Sequence, residues 1–429
     1  MQKNVRVRRA VMQKSVRADR AVMQKSVRAG RAVMQKNVRV RRADGCREDF
    51  MKYIDLHSDT FTMLHYPKED LLDNKRMVSI PALQDGEAWI QCFSAFVPTG
   101  YFPHLCRDAF VWKRFCDIAD KKDALLEHHS DVLVPVESWA DVERLAGQQK
   151  AGERRTEAEK TDVERQNVER CTEAEKTDME RLAEQQKAGE TGALEDPAAE
   201  TRKDSGKIGV IFTGEDLGVI GSDLRKLDTV YQRGVRIATL TWNHENAIGF
   251  PNSAKPQVMQ APLKPFGTET VEKMNELGIV IDVSHLSDGG FWDVAHVSSK
   301  PFIATHSNSR EITNNPRNLT DAMIKAIAKR GGVIGINFAP QFLSGRGDDT
   351  SRIRDILRHI RHIRNVGGSD VLAIGTDFDG IRGHLEIDSP AKMPLLAHVL
   401  TKCGMKESEL EKIFYKNALR VFREVWREK

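Results

Sequence analysis

No stretch of this 429-residue chain approaches the roughly 18 consecutive apolar residues of a membrane-spanning helix, and its basic N-terminus lacks the apolar core of a secretory signal. No membrane partner is expected. Its six cysteines (Cys46, Cys92, Cys106, Cys116, Cys171, Cys403) contain no C-x-x-C pair. That argues against a disulfide framework and against cysteine as a metal ligand, and fits reduced thiols in a cytoplasmic setting. No Gly-rich phosphate loop follows the first strand-like run, which argues against an open doubly wound sheet. Charge of one sign is lacking in the body of the chain. The first 50 residues hold 15 Lys and Arg against four acids, so the formal +4 of the whole chain leaves −7 for residues 51–429. Nothing in that balance favours nucleic acid.

Two segments read as additions to a folded domain. Residues 1–44 are an 11-residue unit repeated four times, beginning at Met1, Met12, Met23 and Met34. Such a period supports a slowly drifting helical stripe, but the like charge and scarce apolar positions favour disorder. The tail 1–50 is expected to be dispensable or untranslated, with the domain beginning near Met51. The second segment, 143–203, repeats TEAEKTD and a VERLAGQQKAGE-like string and is rich in helix formers. It reads as a solvated helical hairpin or a disordered insertion in a surface connection, where added length costs little.

The remainder, 51–429, contains eight short apolar runs of strand type: 52–57, 88–97, 208–214, 236–241, 279–283, 301–305, 333–338 and 371–376. Runs of this kind suit buried parallel strands. Helix-period stretches lie between most of them. In RIRDILRHIRHIR (352–364), Ile353, Ile356, Leu357, Ile360 and Ile363 share one face. The alternation predicts a (β/α)8 barrel of the TIM type with a metal-dependent hydrolase architecture.

Polar residues end many of these runs, and strand ends of such a barrel share one mouth. His57 and Asp59 close the first run and point the same way, since a strand repeats every two residues. Glu215 closes the third, His285 the fifth, His306 the sixth and Asp377 the last. Imidazole and carboxylate together suit Zn²⁺, with Mn²⁺, Fe²⁺ and Co²⁺ also compatible. His57 with Asp59 would hold one ion, His285 with His306 a second, and Glu215 would bridge them. Two ions roughly 3.5–4 Å apart can clamp a shared hydroxide. Asp377 is favoured over Asp379 as the carboxylate that moves a proton; Asp379 is expected to cap the next helix. By position alone Arg317 reads equally as a residue beside a helix start and as a fork for a substrate carboxylate.

The strings DLHSDT (55–60), FTGE (212–215), LTWNHEN (240–246), DVSH (282–285), ATHSNSR (304–310), PRNLTD (316–321), GTDFDG (375–380) and NALRVFREV (417–425) together resemble the renal, or membrane, dipeptidase family of binuclear zinc peptidases, peptidase family M19. The resemblance implies two Zn²⁺ per chain, held by His57, Asp59, Glu215, His285 and His306, with Glu215 bridging. It implies that Arg317 grips the C-terminal carboxylate of a dipeptide and that Asp377 lies near the amide nitrogen. Hydrolysis of L-Xaa-L-Xaa and L-Xaa-D-Xaa dipeptides by a metal-bridging hydroxide, and a homodimer, are implied in the same way. Animal members carry a substrate-contacting histidine where this chain has Trp242. His244, two residues on, is the candidate replacement; a surface-loop histidine is the competing reading. Without a signal peptide or apolar C-terminal tail, the chain is more similar to the bacterial cytoplasmic branch. Two other functions remain open: a different binuclear amidohydrolase (deacylase or lactonase), or a non-catalytic interaction protein using the basic tail.

Overall fold

The computed structural model of the chain describes residues 51–101, 107–148 and 206–426. The repeat tail 1–50 and nearly all of the 143–203 segment lie outside the described residues. The barrel lies within the unit formed by residues up to Asp141 and from Ile208 onward, and Val142–Lys207 is a second unit.

Strands β1 (Tyr53–Asp55), β2 (Ala88–Phe96), β3 (Leu133–Pro135), β4 (Ile208–Glu215), β5 (Val235–Thr239), β6 (Val280–Asp282), β7 (Ile334–Ile336) and β9 (Leu372–Ile374) form one sheet, with β8 (Thr350–Ser351) and β10 (His384–Leu385) paired separately. Hydrogen-bonded neighbours run β6-β5-β4-β2-β1-β9-β7, all parallel. The run 301–305 closes the remaining gap. Val283 N donates to Ile303 O (2.8 Å) and Ile303 N to Ile281 O (2.9 Å) on one side; on the other, Ala304 N donates to Val333 O (3.0 Å) and Gly335 N to Ala304 O (2.8 Å). Each of the eight predicted runs is therefore a stave, and the circuit closes in sequence order. Strand β3 was not foreseen. It pairs with the first half of β4, while β5 takes the second half of the same edge.

The staves are apolar because parallel strands of a barrel are covered on both faces. All eight residues of β4, IGVIFTGE, are buried. Close approach at the mouth demands glycine: a Cβ on Gly335 or Gly375 would lie 1.9 or 1.8 Å from the Thr305 carbonyl oxygen. The outer helices follow the 3.6-residue pattern. The predicted 352–364 helix spans Ile353–Gly367 and buries all five residues of its apolar face. The helix Asp321–Lys329 starts at Thr320, whose hydroxyl accepts from Met323 N. Among the described residues no helix is long and apolar enough to cross a membrane.

Candidate active site

The ends of the staves bring six of the predicted residues together. His57 Nε2 lies 3.6 Å from Glu215 Oε2 and 3.8 Å from both Asp59 Oδ1 and Asp377 Oδ1. On the other side of Glu215, its Oε1 is 3.1 Å from His285 Nε2 and 3.7 Å from His306 Nε2. All six are buried. Three overlapping groups at the mouth have metal-ligand spacing: His57, Asp59 and Glu215; Glu215, His285 and His306; and His57, His306 and Asp377. Glu215 belongs to the first two.

Local backbone geometry aims these side chains. Pairing of β1 with β9 continues past the strands into a Ser58–Phe378 bridge, with Asp377 N donating to His57 O (3.1 Å) and Asp59 N to Phe378 O (2.9 Å). His285 and Asp377 both sit at left-handed φ, 69° and 66°. For non-glycine residues that costs about 1–2 kcal/mol each and persists only where surrounding contacts impose it. Here the turn lifts each side chain out of its strand and over the mouth. Asp379 caps no helix, contrary to expectation: Oδ2 accepts from Thr60 Oγ1 (2.6 Å) and Oδ1 from Met77 N (2.8 Å), tying the loop before the helix Ile80–Asp85 to the mouth.

Residues that sequence reasoning did not single out fix the two histidine rings. Thr305 Oγ1 donates its one proton to Asp282 Oδ2 (2.5 Å), so at 2.7 Å it must accept from His306 Nδ1–H. Asp282 is held in turn by Thr239 Oγ1 (2.7 Å), Ser284 N (2.9 Å) and Thr305 N (2.9 Å). His285 Nδ1 donates to Asn243 Oδ1 at 3.0 Å. Both Nε2 atoms are then bare acceptors, 3.0 Å apart and facing Glu215. Lone pairs converging in this way repel unless a cation lies among them. His57 Nε2 and Asp59 Oδ1 are likewise buried with no hydrogen-bond partner. The donor set of imidazole and carboxylate fits a divalent ion such as zinc, and the orphaned atoms point where such ions would lie. The one signal in sequence for Asp282 and Thr305 was their closeness to ligands in DVSH and ATHS; Asn243, 42 residues from His285, had none.

Electrostatics agree. Burial disfavours the charged form of His57, yet the carboxylates of Glu215, Asp59 and Asp377 outweigh it and carry the imidazole up to about 10. Negative charge at that point calls for a cation. Burial and the Arg317 guanidinium push His285 down to about 4, while burial and the charge of His57 hold His306 well below its usual value. Both rings therefore stay neutral, as ligands must be. Burial, opposed by His57 and reinforced by Glu215, raises Asp377 to about 6; Asn337 Nδ2 donates to its Oδ2 (2.9 Å).

Arg317 is buried beside this cluster. Its NH1 donates to Ser307 Oγ and its NH2 to His306 O, each at 3.1 Å, while Nε has no acceptor. His244 is not brought to the ligands. Its ring packs against Tyr101 and Trp242, and it lines a polar cleft of about 570 Å³ with Thr99, Ser222 and Lys264. Trp242 is the ring that reaches His285, with centroids 6.3 Å apart.

A sequence model of the membrane dipeptidase family (peptidase family M19) matches residues 155–429. The chain belongs to this family. Membership places it among metal-dependent peptide-bond hydrolases. His57 and Asp59 precede the matched span, and it is the closed barrel that brings them to the other four. The chain is 37% identical over 222 residues to an uncharacterized protein of the pqqA 5′ region of Klebsiella pneumoniae, covering 50% of this chain and 81% of that one. It is 31% identical to an uncharacterized dipeptidase of Schizosaccharomyces pombe, over 53% of this chain; the match spans only 56% of that relative's length. A metallopeptidase structure from Rhodobacter sphaeroides, liganded with a phosphinate mimic of the dipeptide L-Ala-D-Ala, superposes with a TM-score of 0.66 at 21% identity, covering 88% of this chain and 100% of that one. At that identity the likeness is one of fold.

Proposed function

We propose that the chain is a zinc dipeptidase with two ions per chain, held by His57, Asp59, Glu215, His285 and His306. The observation that carries the reading is the pair of buried donor groups with metal-ligand spacing that share Glu215, set beside a buried guanidinium whose Nε lacks an acceptor. Zinc held there would supply Lewis acidity, polarising the scissile carbonyl and lowering the pKa of the attacking water. The protein's own groups do the rest. Arg317 grips the terminal carboxylate of the substrate, orienting the peptide bond over the ligands and excluding longer peptides, which carry no charge there. Asp377, steadied by Asn337, accepts a proton from the attacking water and passes it to the departing amine. The S. pombe relative is named a dipeptidase and the Rhodobacter structure holds an L,D-dipeptide mimic; both support a dipeptide substrate, L,D-dipeptides included. Trp242, packed against Phe96 and Tyr101, gives this mouth an aromatic wall, and His244 contacts only the outer part of a bound substrate.

The test is hydrolysis of a small dipeptide panel by the full chain, with chelator and with zinc restored. Expected is chelator-sensitive cleavage of dipeptides and not of their C-terminal amides. Equal cleavage of the amides would remove the role given to Arg317 and favour a deacylase-type reaction; no cleavage by zinc-loaded, folded protein would defeat the proposal.

A further inference from the structure

A second constellation of metal-ligating side chains lies away from the mouth. The helix Arg107–His128 returns from the mouth end of β2, and β3 then starts at Leu133, opposite Ile208, the first residue of β4. The helix therefore ends at the face opposite the active site. There His128 and His129 meet Asp70, from the connection between the short helix Thr60–Met63 and the helix Ile80–Asp85. One ring nitrogen of each histidine and one carboxylate oxygen all lie within 4.8 Å of one another.

Three features distinguish this group from a chance surface cluster. The His129 side chain is more than nine-tenths buried, and its Nε2 has no hydrogen-bond partner. Asp70 divides its carboxylate: Oδ1 accepts from Leu72 N (2.7 Å) and Asp73 N (3.0 Å), which leaves Oδ2 turned to His129 Nε2 at 3.4 Å. Two ligands of one tetrahedral zinc, each about 2.05 Å from the metal, stand about 3.3–3.4 Å apart. Finally, the cluster lies at a helix C-terminus, whose free carbonyls favour positive charge. His128 is exposed, so the coordination sphere would be open to water on that side.

The geometry points to a further divalent-cation site of the zinc type, formed by Asp70, His128 and His129, that pins the connection between the helices Thr60–Met63 and Ile80–Asp85 to the end of the helix Arg107–His128. It stands independently of the reading of the mouth, since no residue is shared. A bound ion would lie between His129 Nε2 and Asp70 Oδ2, which face each other without a hydrogen bond, and would link two segments distant in sequence.

The test compares zinc equivalents retained by the full chain and by H128Q after equilibrium dialysis at micromolar free zinc, read by atomic absorption. His128 is exposed, so its replacement leaves the fold intact. The expected result is one equivalent fewer in H128Q, because only one histidine and one carboxylate are left to hold the ion. The equivalents held at the mouth are common to both proteins and drop out of the difference. D70N should show the same loss. Equal zinc content in wild type and H128Q would overturn the proposal.

Discussion

Replacing Thr305 with valine removes one hydroxyl and little volume, and it tests the support of the metal ligands directly. In the native arrangement Asp282 accepts from Thr305 Oγ1, and that same oxygen accepts from His306 Nδ1–H. Asp282 keeps its three other donors in T305V. His306 does not keep its acceptor. A buried N–H left unsatisfied costs about 1–3 kcal/mol. The ring can avoid that cost only by moving its proton to Nε2, the atom that faces Glu215 and His285, which blocks it as a ligand. Supporting residues of this kind are typically worth about 10–100-fold in metal affinity, or about 1.4–2.7 kcal/mol. Zinc affinity measured against a competing chelator should fall by that factor, and the chelated protein should lose about 1–3 kcal/mol in denaturant unfolding. T305S keeps the hydroxyl and should keep the affinity. Wild-type affinity in T305V would refute the tautomer assignment and with it the view that Asp282 and Thr305 orient His306.

Three further outcomes are expected. R317M should lower kcat/KM for dipeptides by about 10–150-fold, the equivalent of a charge-assisted hydrogen bond of about 1.5–3 kcal/mol, and leave zinc retention unchanged; a parallel loss of bound zinc would place Arg317 in the structure rather than in recognition. Burial pushes His359 down to about 4, and its ring accepts from Ser309 N while bonding Leu343 O. A histidine with a depressed folded pKa stabilises fully above its unfolded value near 6.5 and loses that contribution as pH falls towards 4, a change of about 3 kcal/mol; unfolding curves of H359Q should lack this step between pH 6.5 and 4. G375A should destabilise by at least the roughly 1–3 kcal/mol of an overpacked core, since its methyl would meet the Thr305 carbonyl at 1.8 Å; an unchanged denaturation midpoint would contradict the close approach of these strands.

Much of the architecture was legible one segment at a time. A buried parallel strand must be apolar on both faces, so IGVIFTGE and VLAIGTD announce themselves without any knowledge of their neighbours, and the Ile353–Gly367 helix does so through its single apolar face. The polar residue that ends five of the eight runs was legible too, because a lone His, Asp or Glu closing an apolar strand is a local anomaly. Strand β3 was not, since its three residues borrow an edge of β4 that no local pattern announces. Asp377 was favoured over Asp379 on sequence, but the partners that separate the two were beyond the chain alone. Both sit at a φ of 66°, but one faces His57 and the other accepts from Thr60 and Met77. Only closure of the barrel brings residues 57 and 377 within 4 Å. Asn243, Asn337 and the Asp282–Thr305 relay belong to the same class, because a supporting hydrogen bond is a relation between two side chains and leaves no periodicity in either segment. What the sequence by itself determined is which side chains end which strands, a matter of local burial and period. Which lone pairs face each other, which rings are held in which tautomer, and that Trp242 rather than His244 reaches His285 were decided by tertiary structure, because hydrogen bonds act over about 3 Å and that proximity exists only once the chain has closed on itself.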